Sequence, residues 1–267
     1  MPDDGGRVRT LHHVSRRQAL GLLAAVPAAA TVRHNIFRSA KPITFVLVHG
    51  AWHGGWCWKK LTPLLRTAGH DVYTPTLTGL GERAHLLSRS VDLDTHITDV
   101  VKVLEYEDLR DVVLVGHSYA GMVITGAADR ATDRIGRLVY VDAFLPENGK
   151  ADVDYGRRYP PVTEESWHDP SPNAPQGFGV TDEQDVAWMK TRLTDMPRKC
   201  FLQPVQISGS ANSLDGTFIL CTKGSFFAQA AERAKQRGYR YRELLSGGHD
   251  VMVTRPQALA ELLLEVT

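Results

Sequence analysis

A single serine, Ser118, lies between an apolar strand and a helix, and this arrangement constrains the fold more than any other feature of the sequence. Residues 112–115 (Val-Val-Leu-Val) contain no polar side chain, which is typical of a strand buried on both faces of a parallel sheet. Gly116-His117-Ser118 follows directly, and the small residues at 120–128 predict a helix. The chain must therefore turn sharply at Ser118 between two closely packed elements.

A serine at the apex of such a turn is the arrangement known as a nucleophile elbow. The residues on either side must be small because strand and helix pass close together, and Gly116 and Ala120 meet that demand. Ala120 stands where a second glycine is usual, and we expect Gly121 to relieve the crowding. We therefore predict that Ser118 is a nucleophile.

Strand and helix patterns alternate along most of the chain. Strands are predicted at 43–48, 71–74, 112–115, 138–141, 217–221 and 239–245, and helices at 55–68, 94–105, 120–128, 226–236 and 256–265. This alternation predicts an α/β fold with a mostly parallel, doubly wound sheet and helices on both faces.

Two segments break the alternation. Prolines cluster within 146–216, where only 183–193 has helical spacing, so an inserted cap is predicted there. Within 1–40, Arg16-Arg17 precedes a short apolar run and three alanines, which predicts a bacterial twin-arginine export signal and a linker before a domain at 41–267. A functional signal implies a periplasmic or extracellular protein. A disordered extension with a chance arginine pair, and a cytoplasmic protein, remain the alternative.

Composition excludes several classes of protein. The 31 basic and 30 acidic side chains leave a net charge of +1, which gives no indication of nucleic acid as a partner. The apolar run near the N-terminus is too short for a permanent membrane span. Three scattered cysteines do not form a disulfide framework, although a Cys200–Cys221 bridge stays open. Oligomeric state cannot be read from the sequence.

A serine hydroxyl needs a general base within hydrogen-bond reach. His249 lies in the segment Ser246-Gly247-Gly248-His249-Asp250, after the last predicted strand and before the final helix. A glycine-rich loop at this point can present a histidine to the end of the sheet. We predict that His249 is the base.

The acid that orients this histidine is less clearly marked. The usual place follows the strand at 217–221, where Thr222-Lys223-Gly224-Ser225 offers no carboxylate. Asp142 directly follows the apolar strand at 138–141, and burial of a carboxylate there is costly without a partner. Asp142 is therefore the predicted acid, while Asp215, Glu243 or a structural role for Asp142 stay open.

Acyl transfer also needs donors for the developing oxyanion. His49-Gly50-Ala51-Trp52 follows the first strand, so the backbone N–H groups of Ala51 and Tyr119 are the predicted pair, although a plain connecting turn is the alternative. Trp52, Phe144 and Trp167 are predicted to line an apolar substrate pocket beneath the cap. Core packing would explain these aromatic residues equally well.

With these residues in place, the chain resembles the α/β-hydrolase superfamily from about Ile43 to Val266. Residues 45–56 (Phe-Val-Leu-Val-His-Gly-Ala-Trp-His-Gly-Gly-Trp) are similar to the esterase branch that contains plant methylesterases and hydroxynitrile lyases. Residues 76–83 resemble bacterial relatives described as esterases. Hydroxynitrile lyases of this branch carry a lysine after the catalytic histidine, and Asp250 at that position disfavours lyase activity.

Motifs and resemblance together predict a serine hydrolase that cleaves the carboxylic ester of a small, apolar substrate through an acyl-enzyme. This chemistry requires neither a metal nor an organic cofactor. The alternatives are a small-molecule-binding homologue with little turnover, or a cofactor-free perhydrolase or lyase on the same site.

Overall fold

The computed structural model describes residues 42–156, 159, 163–222 and 227–266. The predicted signal and linker at 1–40 lie outside the described residues. The regular elements are, in chain order, β1 Thr44–Val48, α1 Thr62–Thr67, β2 Asp71–Tyr73, α2 Leu93–Tyr106, β3 Val112–His117, α3 Ala120–Arg130, β4 Ile135–Val141, β5 His168–Asp169, α4 Glu183–Lys190, β6 Met196–Pro197, α5 Lys199–Leu202, β7 Asp215–Leu220, α6 Ala228–Gln236, β8 Arg240–Glu243, α7 Val251–Thr254 and α8 Pro256–Glu265.

Six strands form the central sheet in the order β2-β1-β3-β4-β7-β8, and every neighbouring pair is parallel. The predicted α/β architecture with a parallel sheet is confirmed. The strand order runs outward from β1 in both directions, which is the topology of a doubly wound sheet.

The sheet is buried on both faces because each apolar strand sends alternate side chains to opposite sides. In β1, Val46 and Val48 join the core cluster that includes α2 and α3, whereas Phe45 and Leu47 join the cluster that includes α1 and α8. Helices therefore cover the two faces, as the nearly continuous apolar runs predicted.

One predicted helix is divided in the structure. The segment predicted as a helix at 55–68 forms a 3₁₀ turn at Gly55–Trp58 and then α1. Pro63 lies in the first turn of α1, the part of a helix that tolerates a residue without an N–H donor. Gly69 then ends the helix with a φ of 96°, as predicted.

The segment predicted as a cap carries a two-stranded antiparallel sheet of β5 and β6, together with α4 and α5. Hydrogen bonds between backbone groups tie this segment to the loops at the end of the central sheet. The amide of Thr194 donates to the carbonyl of Trp52 (2.9 Å), and the amide of Asp250 donates to the carbonyl of Phe178 (3.0 Å). The function of this segment as a cap stays a prediction.

The three cysteines, Cys57, Cys200 and Cys221, are buried and free, so no Cys200–Cys221 bridge forms. In the described part of the chain, no helix is both long enough and apolar enough to cross a membrane.

Parallel strands bring their carboxyl ends to one edge of the sheet. Val48 pairs with Gly116, His117 pairs with Val141, and Val141 pairs with Ile219. The loops that follow β1, β3, β4 and β7 therefore meet at this edge, where open α/β sheets bind their ligands.

Candidate active site

Ser118 occupies a strained turn between β3 and α3. Its backbone φ is 56°, in the left-handed region that residues other than glycine rarely adopt. Its carbonyl accepts hydrogen bonds from the amides of Gly121 and Phe144, both at 3.1 Å, and its own amide donates to Val141 at 3.3 Å. These three bonds hold the turn in place and present the hydroxyl at the carboxyl edge of the sheet.

The structure explains why alanine is tolerated at position 120. A Cβ added to Gly116 would lie 2.8 Å from the side chain of Ile124, and a Cβ added to Gly121 would lie 1.8 Å from the carbonyl oxygen of Phe144. The close approach after the serine therefore occurs at Gly121. Glycine is needed there and before the serine, while Ala120 fits at the start of α3.

His249 connects the serine to a carboxylate. Its Nε2 lies 2.9 Å from the Ser118 hydroxyl oxygen, and its Nδ1 lies 2.7 Å from Oδ2 of Asp142. The loop reaches this position through Gly248, which has a φ of 68° and packs so tightly on Gly179 that a Cβ would lie 2.8 Å from its Cα. Residues separated by more than 100 positions in the sequence thus form one chain of hydrogen bonds.

Asp142 lies directly after β4 with a φ of 43° and no exposed side-chain surface. Besides His249, it accepts hydrogen bonds from the amide of Cys221 (3.0 Å) and from the hydroxyl of Thr222 (2.9 Å). Burial by itself would raise the pKa of this carboxyl, but the bonds from His249, Cys221 and Thr222 lower it below its usual value. Asp142 is thus held as a carboxylate against the imidazole.

The other two candidate acids lie elsewhere. Asp215 begins β7 at the opposite end of the sheet, is 72% exposed and lies 3.7 Å from the guanidinium of Arg137. Glu243 is exposed and accepts a hydrogen bond from the hydroxyl of Tyr241 at 2.6 Å. Neither is hydrogen-bonded to His249. The end of β7 contributes donors from Cys221 and Thr222 to Asp142, which gives that position a role without a carboxylate.

Two backbone amides are available beside the serine. A Cβ on Gly50 would lie 2.9 Å from Cβ of Ser118, so the loop after β1 is packed against the turn. In the described part of the chain, the amides of Ala51 and Tyr119 donate to no other protein group. The ring of Tyr119 is buried, with its hydroxyl 3.1 Å from Nδ1 of His96. The role of the two amides as oxyanion donors stays a prediction.

A cavity of about 370 Å³ opens onto Ser118. Trp52 lines it as predicted. Phe144 and Trp167 are not among its described lining residues. The lining residues are Gly50, Ala51, Trp52, His53, His117, Ser118, Gly177, Phe178, Thr222, Phe227 and His249.

Phe144 and Trp167 pack against other side chains instead of lining the cavity. Phe144 is buried behind the cavity wall, edge-on to Phe227 with ring centroids 5.2 Å apart. Trp167 lies in the 146–216 segment beneath the guanidinium of Arg89, 5.8 Å from its ring centroid. An aromatic residue in sequence does not reveal which side of a loop it faces.

Sequence reasoning missed two aromatic residues that surround the base. Phe227 stacks parallel to the His249 ring with centroids 5.2 Å apart and 6° between the planes, and Phe178 lies 6.0 Å away. Phe227 precedes α6, the predicted helix after β7, and this position was its only sequence signal. Phe178 lies in an irregular, proline-rich segment, and no sequence pattern there indicates that it faces the site.

His117, Asp250 and His249 place potential metal ligands within 4.8 Å of one another. Both ring nitrogens of His249 are already hydrogen-bonded, to Ser118 and Asp142. A metal ion on this group would therefore have to break the bonds that join the serine to the carboxylate.

Comparison with known proteins agrees with the geometry. Residues 45–262 match the model of the alpha/beta hydrolase family. The chain belongs to the alpha/beta hydrolase family. A carbendazim hydrolyzing esterase of Nocardioides sp. (strain SG-4G) is 39% identical over 240 residues, which cover 82% of this chain and 97% of that protein.

Two further similarities cover most of the domain. Methylesterase 3 of Arabidopsis thaliana is 26% identical over 83% of this chain and 94% of its own. An extracellular alpha/beta-hydrolase from a Paenibacillus species superposes with a TM-score of 0.70 at 25% identity, covering 84% of this chain and 98% of that one. The chain is an ester-hydrolysing member of the alpha/beta hydrolase family.

Proposed function

We propose that this alpha/beta hydrolase cleaves esters through an acyl-enzyme on Ser118, with His249 as general base and acid and Asp142 as the orienting carboxylate. The observation that carries the proposal is the continuous hydrogen-bond path from the Ser118 hydroxyl through both nitrogens of His249 to Asp142. Such a path activates a hydroxyl that is otherwise a poor nucleophile at neutral pH.

In the first half of the reaction, the Ser118 oxygen attacks the ester carbonyl carbon while Nε2 of His249 takes the hydroxyl proton. The carbonyl oxygen becomes an oxyanion, which the amides of Ala51 and Tyr119 stabilise. When the tetrahedral intermediate collapses, the bond to the alcohol oxygen breaks and His249 returns its proton to the leaving alcohol. A water molecule then repeats the sequence on the acyl-enzyme and releases the acid.

The environment of His249 favours its role in accepting and returning the proton. Asp142 remains ionised because its pKa is lowered, so it stabilises the imidazolium without taking its proton. The stacked ring of Phe227 offers a π face to the same imidazolium. The ring is thus oriented at its edge by a carboxylate and on its face by an aromatic side chain.

We propose a small ester with an apolar group as the substrate. The cavity at Ser118 is about 370 Å³, and Trp52, Phe178 and Phe227 give its wall three aromatic rings. A relative at 39% identity is named as a carbendazim hydrolyzing esterase, which supports ester hydrolysis by this chain. The main support for the binding-protein alternative was the missing carboxylate after β7, and the hydrogen bond between Asp142 and His249 speaks against it.

The test uses a fluorescent phosphonate probe and short-chain aryl esters. We expect Ser118→Ala to abolish labelling and turnover, and Asp142→Asn to lower kcat by about 10³- to 10⁴-fold with little change in KM. Asp215→Asn is the matched control, because it neutralises the exposed alternative acid, and its kinetics should equal those of the wild type. Normal turnover by Asp142→Asn, or a wild type that neither labels nor hydrolyses any ester, would contradict the proposal.

We also propose that residues 1–40 direct export. Arg16-Arg17 before an apolar run supports this, as does a structural neighbour described as extracellular. Replacing both arginines by lysine in the full chain should retain the enzyme in the cytoplasm of a bacterial host. Periplasmic activity that survives the replacement would refute this part of the proposal.

A further inference from the structure

His53, in the loop after β1, has hydrogen-bond acceptors at both ring nitrogens. Nδ1 lies 2.7 Å from the carbonyl oxygen of Ala51, and Nε2 lies 3.1 Å from Oδ2 of Asp250. A carbonyl oxygen and the oxygen of an ionised carboxylate can only accept, so both nitrogens carry protons when Asp250 is ionised. The geometry makes His53 an imidazolium, although its side chain is only 2% exposed.

Other buried histidines nearby have a different pattern of partners. His49 donates from Nδ1 to the Gly50 carbonyl (2.9 Å) but accepts at Nε2 from the amide of Leu77 (3.0 Å), so its ring is neutral. His96 faces the Thr78 carbonyl at one nitrogen and the Tyr119 hydroxyl at the other, which a neutral ring also satisfies. Two acceptors set His53 apart from these two rings.

The ionisation of the two partners agrees with this geometry. Burial would lower the pKa of His53, but the charge and hydrogen bond of Asp250 and the carbonyl of Ala51 raise it above its usual value. Burial would raise the pKa of Asp250, but His53 and the neighbouring histidines lower it. The result is a buried imidazolium–carboxylate pair.

This pair joins the two loops on which the reaction depends. Ala51 carries one of the proposed oxyanion amides, and Asp250 immediately follows His249. Trp52, between Ala51 and His53, has a φ of 64°, so the loop after β1 is strained where the imidazolium holds it. On the other side, Nε2 of His117 donates to the carbonyl of His249 at 2.9 Å.

We propose that the His53–Asp250 pair is a positioning device for ester hydrolysis, in which a buried imidazolium locks the oxyanion loop to the loop that carries the base. The inference rests on the proposed function for its kinetic part. His53 lines the cavity, but its ring nitrogens are hydrogen-bonded to Ala51 and Asp250 rather than to Ser118, so it acts through those two residues. Small errors in this spacing are costly because the oxyanion donors must be in place before the charge develops.

Titratable groups surround the pair on every side. His117 lies edge-on to His53 with ring centroids 6.4 Å apart, and its Nε2 lies 3.8 Å from Oδ1 of Asp250. The charge of His249 also acts on Asp250, the charge of Asp250 acts on the Cys57 thiol, and the charge of His53 acts on His49. The test of the inference therefore observes His53 directly.

The first measurement is the protonation state of His53 by NMR with ¹⁵N-labelled histidine in the full-length protein. We expect both ring nitrogens of His53 to give imidazolium signals at pH 7, whereas Asp250→Asn should lose the second proton near neutral pH. Assignment comes from the signals that vanish in His53→Gln. A single protonated nitrogen in the wild type at pH 7 would overturn the inference, whatever the enzyme hydrolyses.

The second measurement is steady-state ester hydrolysis. A glutamine amide offers a nitrogen donor at one end only, so His53→Gln cannot serve both acceptors, and we expect kcat to fall by about 10- to 100-fold while KM changes by less than about threefold. Asp250→Asn should reproduce the loss in kcat. Circular dichroism establishes that each variant is folded before its kinetics are read.

His70→Gln is the matched control. His70 is also buried, but it accepts from the amide of Ile43 at the opposite end of β1, so its replacement should alter the melting temperature and leave kcat unchanged. If His70→Gln lost as much kcat as His53→Gln, the loss would reflect a general decrease in stability, and a positioning role for His53 would be refuted. If the wild type hydrolyses no ester, the proposed function and the kinetic part fail together, while the NMR result still decides the ion pair.

Discussion

Acidification should destabilise this protein well before its carboxylates are protonated. His49 and His117 are buried and neutral, and desolvation by burial is the largest cause that lowers the pKa of each from 6.5 to about 3. In the unfolded chain the same rings have an ordinary pKa, so the unfolded state binds more protons as the pH falls. Stability is therefore lost between the unfolded and the folded pKa values, that is, from about pH 6.5 downward.

The size of the loss follows from linkage. An unfolded histidine is about one-quarter protonated at pH 7 and almost fully protonated at pH 5, while the folded rings stay neutral. Each ring then removes about 2 kcal/mol of unfolding free energy between pH 7 and pH 5. His53 opposes this because its folded pKa is raised, and it returns at most about 1 kcal/mol over the same range. The carboxylates with lowered pKa, Asp129, Asp142 and Asp250, lose their contribution only at lower pH.

The pKa of two further buried histidines, His70 and His96, is also lowered by burial, so they add to the loss. We therefore expect urea unfolding to give a free energy lower by at least about 3 kcal/mol at pH 5 than at pH 7. His117→Gln removes one of the two rings, so in that variant the loss should shrink by about 2 kcal/mol, whatever the substitution does to stability at pH 7. His85→Gln, at an exposed histidine, should leave the loss unchanged. A loss below about 1 kcal/mol in the wild type, or an equal loss in His117→Gln, would refute the assignment of neutral buried rings.

Two further predictions concern packing. Gly121→Ala should destabilise the fold by about 3 kcal/mol or more, because its Cβ would lie 1.8 Å from the carbonyl oxygen of Phe144, whereas Ala120→Gly should cost only about 1 kcal/mol. Urea titration of both variants checks this, and a Gly121→Ala protein as stable as the wild type would contradict it. The three cysteine thiols, which are buried and have a raised pKa, should not react with a colorimetric thiol reagent in the native protein and should all react in denaturant. Rapid reaction of any thiol in the folded protein would show that this burial is wrong.

The parallel sheet, the serine turn and the position of His249 could be predicted because they follow from local rules. A buried strand needs an apolar run, a sharp strand-to-helix turn needs small residues, and a loop after the last strand can present a histidine to the sheet edge. The boundaries of the helix at 55–68 were wrong, because a helical spacing by itself does not show that the segment breaks between Trp58 and Thr62.

The position of the proposed acid, Asp142, was only partly decided by sequence. Asp142 was favoured because a carboxylate after an apolar strand is costly to bury without a partner. Its partners, the amide of Cys221, the hydroxyl of Thr222 and the ring of His249, come from two other segments that the sheet register brings to its side. Burial cost can be read from the chain, whereas the donors that offset it depend on strand order.

Only the tertiary structure decided the cavity wall and the charge of His53. Phe178 and Phe227 come from segments without periodicity, so no pattern in the sequence shows that they face His249. The second acceptor of His53 lies on Asp250, 197 positions further along the chain. An imidazole takes its charge from the groups that surround it, and the chain specifies those groups only once it has folded.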